Sequence, residues 1–166
     1  MIFTTAIKEH KKNKNKLLKL IEETPTSPLK EGKDIIQKND FFLPENQNQK
    51  YRMTFLKMIE PYLKIISFKL RSDKCSVHNV WFQQYLKNNL HNWHNHPGCQ
   101  FSNIYYLELP SNEIDTEFLD PDKKFLIKEG DILTFPSYLY HRSPVNLTNK
   151  RKTVIVFNSS FHEFLQ

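Results

Sequence analysis

Apolar positions along this chain change their period near residue 76. Before it the spacing is helical. Ile7, Leu17, Leu18, Leu20 and Ile21 fall among Lys and Glu, and Tyr51, Phe55, Met58, Ile59, Tyr62, Leu63 and Ile66 recur at intervals of three and four, the repeat that keeps one face of a helix apolar. The pattern predicts helices over about 6–23 and 51–66. Thr24-Pro25-Thr26-Ser27-Pro28 stops the first, and Pro61 is a kink or break in the second. Between them, as far as Asn48, Gly32, Pro44 and several Asn and Gln leave only short apolar runs, Ile35-Ile36 and Phe41-Phe42-Leu43, which predicts a connection with little regular structure.

From Ser76 onward, short runs rich in Val, Ile, Phe and Tyr are separated by turn residues, the texture of an all-β barrel or sandwich. Candidate strands are Val77–Tyr85, Leu90–His96, Ser102–Leu109, Thr116–Leu119, Phe125–Ile127, Asp131–Phe135, Arg142–Val145 and Thr153–Asn158. Eight short strands is the jelly-roll number. The expectation is a mainly β chain: a double-stranded β-helix (cupin-like jelly roll) over 76–166, with 1–75 a helical flank packed on one of its sheets. The two parts form one compact domain overall.

Composition adjusts this picture in three places. With 166 residues, 13 Phe and 7 Tyr, a single domain buries a core without staples. Lys+Arg 24 against Asp+Glu 18 gives +6, but Lys8, Lys11, Lys12, Lys14, Lys16 and Lys19 crowd one segment, the pattern of a solvated helix face, so a nucleic-acid partner is not favoured. Cys75 and Cys99 form no Cys-x-x-Cys motif, and no apolar run has the length of a bilayer span. A reducing, cytoplasmic setting without a membrane partner is the expectation.

The candidate chemistry is carried by histidines. His91-Asn92-Trp93-His94-Asn95-His96-Pro97 places His94 and His96 two residues apart, so on an extended strand both imidazoles point the same way. His141 follows Gly130-Asp131-Ile132-Leu133-Thr134-Phe135, a turn feeding a buried strand. Two ligands on one strand and a third on a distant one make a metal site on a β scaffold, and all-imidazole ligation suits iron, zinc, copper or nickel. His91 stands near enough for a supporting or substrate-contacting role.

With these residues the sequence resembles the Fe(II)/2-oxoglutarate-dependent oxygenases, in particular the prolyl-hydroxylase-like branch and its small phage-borne or bacterial relatives. The resemblance runs from about Val80 to Asn158 and rests on the His-x-His-Pro segment, Ser102-Asn103-Ile104-Tyr105-Tyr106-Leu107, the Gly130–Pro136 run, His141 and Arg151. It implies that His94, His96 and His141 hold Fe(II) and are the catalytic set. It further implies that Arg151, ten residues past the distal histidine, pairs with the far carboxylate of 2-oxoglutarate, and that Tyr105 donates its hydroxyl to the same group. Alternation allows only one of Tyr105 and Tyr106 to face inward. Tyr85 and Gln84 are candidates for the metal-proximal end of the cosubstrate. The chain departs from the family at His96, where an Asp or Glu is usual.

Two functions follow. The first is a dioxygenase using Fe(II), 2-oxoglutarate and dioxygen to hydroxylate a small-molecule or peptidyl substrate. The second is a cupin-like three-His metalloprotein, either a cosubstrate-independent dioxygenase or a non-catalytic binding protein. Arg151 separates them, since only the first needs a cation at the mouth of the barrel. Substrate would be read by loops such as Lys87–Asn89 and Ser111–Glu117.

Overall fold

The computed structural model describes residues 1–32, 34–43, 48–111, 115–122 and 124–164. Pro44 and residues 112–114 of the expected substrate loop lie outside them. The larger of two antiparallel sheets has seven strands in the order β1-β8-β6-β10-β4-β3-β2, and the smaller has three, β5-β9-β7. In chain order the strands are β1 Phe3–Ala6, β2 Ser27–Glu31, β3 Asp34–Asn39, β4 Ser72–Tyr85, β5 His91–His94, β6 Phe101–Glu108, β7 Glu117–Phe118, β8 Asp131–Pro136, β9 His141–Ser143 and β10 Lys152–Phe164. Two facing antiparallel sheets are the jelly roll expected from the strand texture. No helix among the described residues is long and apolar enough to cross a membrane.

The two faces of the large sheet carry separate cores. On the outer face lie α1 (His10–Glu22) and α2 (Arg52–Lys69). Leu17, Ile21, Phe55, Ile59 and Ile66 of these helices pack on Val80, Phe82, Tyr105, Leu107, Ile155 and Phe157 of the sheet, nearly all without solvent contact. On the inner face Trp81, Tyr85, Ile104, Tyr106, Val154 and Val156 meet Phe118, Leu133 and Phe135. At about 1.5–3 kcal/mol per fully buried large apolar side chain, both faces contribute heavily, so Val80–Phe82 of β4, Ile104–Leu107 of β6 and Val154–Phe157 of β10 read as unbroken apolar runs rather than alternating. Pro61 sits inside α2 without ending it, on the solvent side, where the amide it lacks costs least.

The first 75 residues depart from expectation. They supply three strands as well as two helices: β1 pairs with β8 (Phe3↔Thr134 to Ala6↔Asp131). The stretch expected to be irregular folds as the β2–β3 hairpin (Leu29↔Ile36), which extends the sheet through Asn39↔Gln83. The sparse apolar residues misled because an edge hairpin buries little apolar surface, here Ile36 among the described residues. Conversely Phe125–Ile127 is no strand. It buries Ile127 and sets Phe125 edge-to-face on Phe118 (centroids 5.7 Å apart) without joining a ladder.

Candidate metal centre

The small sheet sets the histidines. β5 and β9 run antiparallel with His94 directly opposite His141, and His96 lies two residues beyond the end of β5, fixed by its own amide on the Ser137 carbonyl (3.0 Å). One ligand atom from each of His94, His96 and His141 falls within 4.8 Å of the other two, a spread that small side-chain rotations close to the span of one ion's bonds. Ring centroids lie 4.3 Å (His94–His141), 5.0 Å (His96–His141) and 5.2 Å (His94–His96) apart.

Backbone chemistry decides which nitrogens converge. His94 Nδ1 is 2.7 Å from the Asn92 carbonyl and His141 Nδ1 is 3.0 Å from the Leu139 carbonyl. A carbonyl only accepts, so each Nδ1 carries the proton and each Nε2 keeps its lone pair. His96 Nδ1 is held in the same way by Asn158 Oδ1 (3.0 Å), with Ser102 Oγ at 2.7 Å. Holding the remote nitrogen as a donor is how metal-ligating histidines are oriented. Burial, reinforced by the neighbouring imidazoles, lowers the pKa of His96 to about 4 and of His141 to about 2. Burial also lowers that of His94. All three are neutral near pH 7, the form that binds a metal, and the residues fit an imidazole-ligated ion. His91 stacks on His94 (3.8 Å between centroids) and accepts from Gln83 (3.4 Å), with its pKa brought down to about 3 chiefly by burial.

The carboxylates that could have replaced His96 are engaged elsewhere. Glu108 binds Arg151, and Asp131 Oδ2 accepts the Lys128 amide (3.0 Å).

A single parity on the central strands sorts the remaining expected residues. On β10, Lys152, Val154 and Val156 line the cavity that holds the triad, and Asn158 reaches His96 from the same face. Arg151 does not enter. Its guanidinium lies outside, donating through Nε to Glu108 (2.8 Å) and through Nη1 to Glu22 of α1 (2.6 Å). Tyr105 likewise faces the helices, its hydroxyl 2.7 Å from His10 Nδ1, and Gln84 faces outward to Glu22 and Thr153. Their neighbours in sequence face inward: Tyr85 lines the cavity, and Tyr106 is buried beneath it with its hydroxyl 2.6 Å from Thr116 Oγ1. Shifting by one residue exchanges the faces of a strand.

Sequence reasoning passed over Lys152. Its side chain is buried, Nζ donates to Ser143 Oγ (2.8 Å) and stands 5.3 Å from the Tyr85 ring centroid. Burial brings its pKa down to about 7 against the opposing pull of Asp115 and Glu117. No signal in the sequence marks it, since the run Thr153–Phe157 that follows is uncharged on both faces.

No protein-family model matches the chain, and no curated protein matches it in sequence. Solved structures do match. An oxidoreductase of the 2OG-Fe(II) oxygenase family from Burkholderia pseudomallei superposes with a TM-score of 0.75 at 13% identity, covering 99% of this chain and 88% of that one. The fold is that of the 2OG-Fe(II) oxygenases. The viral collagen prolyl hydroxylase of Paramecium Bursaria Chlorella virus-1, in its 2OG complex, shares this oxygenase fold with a TM-score of 0.61 and 14% identity over 98% of this chain and 96% of that one. HygX from Streptomyces hygroscopicus, with nickel, 2-oxoglutarate and hygromycin B bound, does so with a TM-score of 0.66 and 11% identity over 99% and 85%.

Proposed function

We propose that the chain is an Fe(II)- and 2-oxoglutarate-dependent dioxygenase that hydroxylates a substrate at the mouth of the jelly roll. One observation carries the reading: the cavity walled by His94, His96 and His141 is also walled by the buried Lys152 ammonium, with Tyr85, Thr116 and Ser143 beside it. A diacid chelated at one end needs a cation a carbon chain away, and Lys152 takes the role expected of Arg151. Lysine offers a point charge where arginine would offer a fork. Iron held by the triad would supply the redox chemistry that couples oxidative decarboxylation of 2-oxoglutarate to insertion of one oxygen atom into a C–H bond.

The chain's own residues do the rest. Lys152 holds the distal carboxylate, which in turn favours the charged ammonium that burial disfavours. Val154 and Val156 flank the carbon chain, while Trp81 and Ile104 keep water from that wall. With a neutral imidazole in place of the usual carboxylate, a divalent ion keeps its full charge, which favours a dianionic cosubstrate. Both cysteines are free, in keeping with a reducing compartment.

The second reading, a cupin-like three-His metalloprotein without cosubstrate, draws on the absence of a carboxylate from the triad. It assigns no ligand to the desolvated cation that stands, bonded to Ser143, in the wall of the triad's cavity. Anaerobic titration of the Fe(II)-loaded protein with 2-oxoglutarate tests the choice. The visible charge-transfer band of the chelate is expected in the native chain and in Arg151→Ala, and is expected to be lost in Lys152→Met at the same concentration. Iron binding with no band and no calorimetric uptake of 2-oxoglutarate would reject the oxygenase.

A further inference from the structure

Beside the triad a second cavity of about 420 Å³ opens to solvent, walled by the imidazoles of His91, His94 and His96 on one side and by Phe41, Phe42 and Trp81 on the other. Its size suits a small organic molecule. The two phenylalanines are 48% and 60% exposed, although large apolar side chains clustered in water mark a binding surface. They continue inward as an aromatic run: Phe42 on Phe41 (5.0 Å), Phe41 on Trp81 (4.9 Å), Trp81 on His96 (5.4 Å).

The turn carrying the phenyl rings is anchored. Asp40 is buried, and its carboxylate accepts from the Phe82 amide, the Tyr51 hydroxyl and Gln49 Nε2, each at 2.8 Å. The Phe41 amide donates to Asn39 Oδ1 (3.2 Å). The rings are therefore presented in place.

Charge decides what they receive. One quarter of the chain's residues are Asp, Glu, Lys or Arg, yet among the described residues none of the thirteen that line this cavity is. Its polar groups besides the histidines are carboxamides: Asn39, Gln83 and Asn158, which bond within the protein, and Asn79 and Asn95 beside them. Carboxamides donate and accept but neutralise nothing. A free amino acid, a carboxylate or a phosphate would enter without a counter-ion, despite the overall charge of +6.

We infer that the substrate is an uncharged aromatic molecule bearing amide-type hydrogen-bonding groups, stacked on Phe41, Phe42 and Trp81 and met by the carboxamides of Asn79 and Asn95. This deepens the oxygenase reading by naming the class of molecule brought to the triad. The test needs no turnover. Three probes differing only in charge, N-acetylphenylalaninamide (neutral), N-acetylphenylalanine (anionic) and phenylalaninamide (cationic), are titrated into the nickel-loaded full chain and followed by saturation-transfer NMR, with and without 2-oxoglutarate. The neutral probe is expected to bind at least about fivefold more tightly than either ion. Phe42→Ser, an exposed change that leaves the core intact, is expected to weaken it by about fivefold, the worth of an aromatic contact; Asn79→Asp is expected to admit the cation. Equal binding of the three probes, no binding of the neutral one, or indifference to Phe42→Ser overturns the inference. 2-Oxoglutarate uptake, measured on the same samples, reports separately on the oxygenase reading.

Discussion

Lys152→Met is expected to make the protein more stable while abolishing the 2-oxoglutarate binding proposed for it. The ammonium of Lys152 is buried, and its pKa falls from the ordinary 10.5 to about 7, chiefly through desolvation. At about 1.36 kcal/mol per pH unit the protonated lysine costs the fold roughly 4–5 kcal/mol. Between pH 7 and 10.5 the unfolded chain holds the proton and the folded one has released it, so stability rises with pH across that window. Methionine fills nearly the same volume without charge. It removes the cost but strands Asp115, whose own pKa is already raised to about 6 by burial and held down by Lys152, and this takes back part of the gain. The net expectation at pH 7 is a stabilisation of about 2–4 kcal/mol, shrinking to under about 1 kcal/mol by pH 10.5, where lysine is neutral in the folded chain and half protonated in the unfolded one. Urea unfolding of native and variant chains between pH 6.5 and 10.5 measures it. A variant less stable than the native chain at pH 7, or a difference that ignores pH, would refute the placement of Lys152 as a buried, desolvated cation.

Three further outcomes follow from the geometry. Asn158→Ala removes the Oδ1 acceptor that orients His96 and should weaken nickel binding about tenfold in calorimetry, with unfolding little changed; unaltered affinity would mean that Ser102 alone suffices. Arg151→Ala breaks ion pairs to Glu22 and Glu108 that are partly open to solvent and should cost at most about 1 kcal/mol, with 2-oxoglutarate affinity within about twofold of native; a tenfold loss would return Arg151 to the site. Gly130→Ala should cost about 1–3 kcal/mol in thermal unfolding, because φ is +93° and the new Cβ would stand 2.9 Å from His10 Cγ; a neutral result would mean that α1 shifts freely.

The histidines were legible because metal ligation demands particular side chains at particular spacings, and β structure converts the spacing of His94 and His96 into direction. The two sheets were legible from turn chemistry and β-branched runs. What was lost is parity. Thr153 to Phe157 is non-charged on both faces because helices cover one and the second sheet the other, so alternation could not choose between Arg151 and Lys152, nor between Tyr105 and Tyr106. The pairing partners decide it: Glu22 and Glu108 wait for a guanidinium outside, and they are distant in sequence. The β2–β3 hairpin was hidden for a related reason, since its strength comes from pairing with β4 rather than from its own composition. The phenylalanines of residues 41 and 42 were visible as an apolar run, but only the fold shows that they border the histidines.

The small sheet has only four, two and three residues in its strands, too short to hold together on local pairing. Two of the three triad histidines face each other across it. An ion gripped by them would act as a clasp between β5 and β9, linking segments almost fifty residues apart in the way a disulfide would, while the long β4–β10 ladder stands without such help. Metal-free chain should then breathe locally: amides of 91–94 and 141–143 would exchange with deuterium far sooner than those of 152–157, and loading the site would slow the first group alone. Metal availability would thus govern whether the mouth of the jelly roll is assembled at all, ahead of any question of turnover.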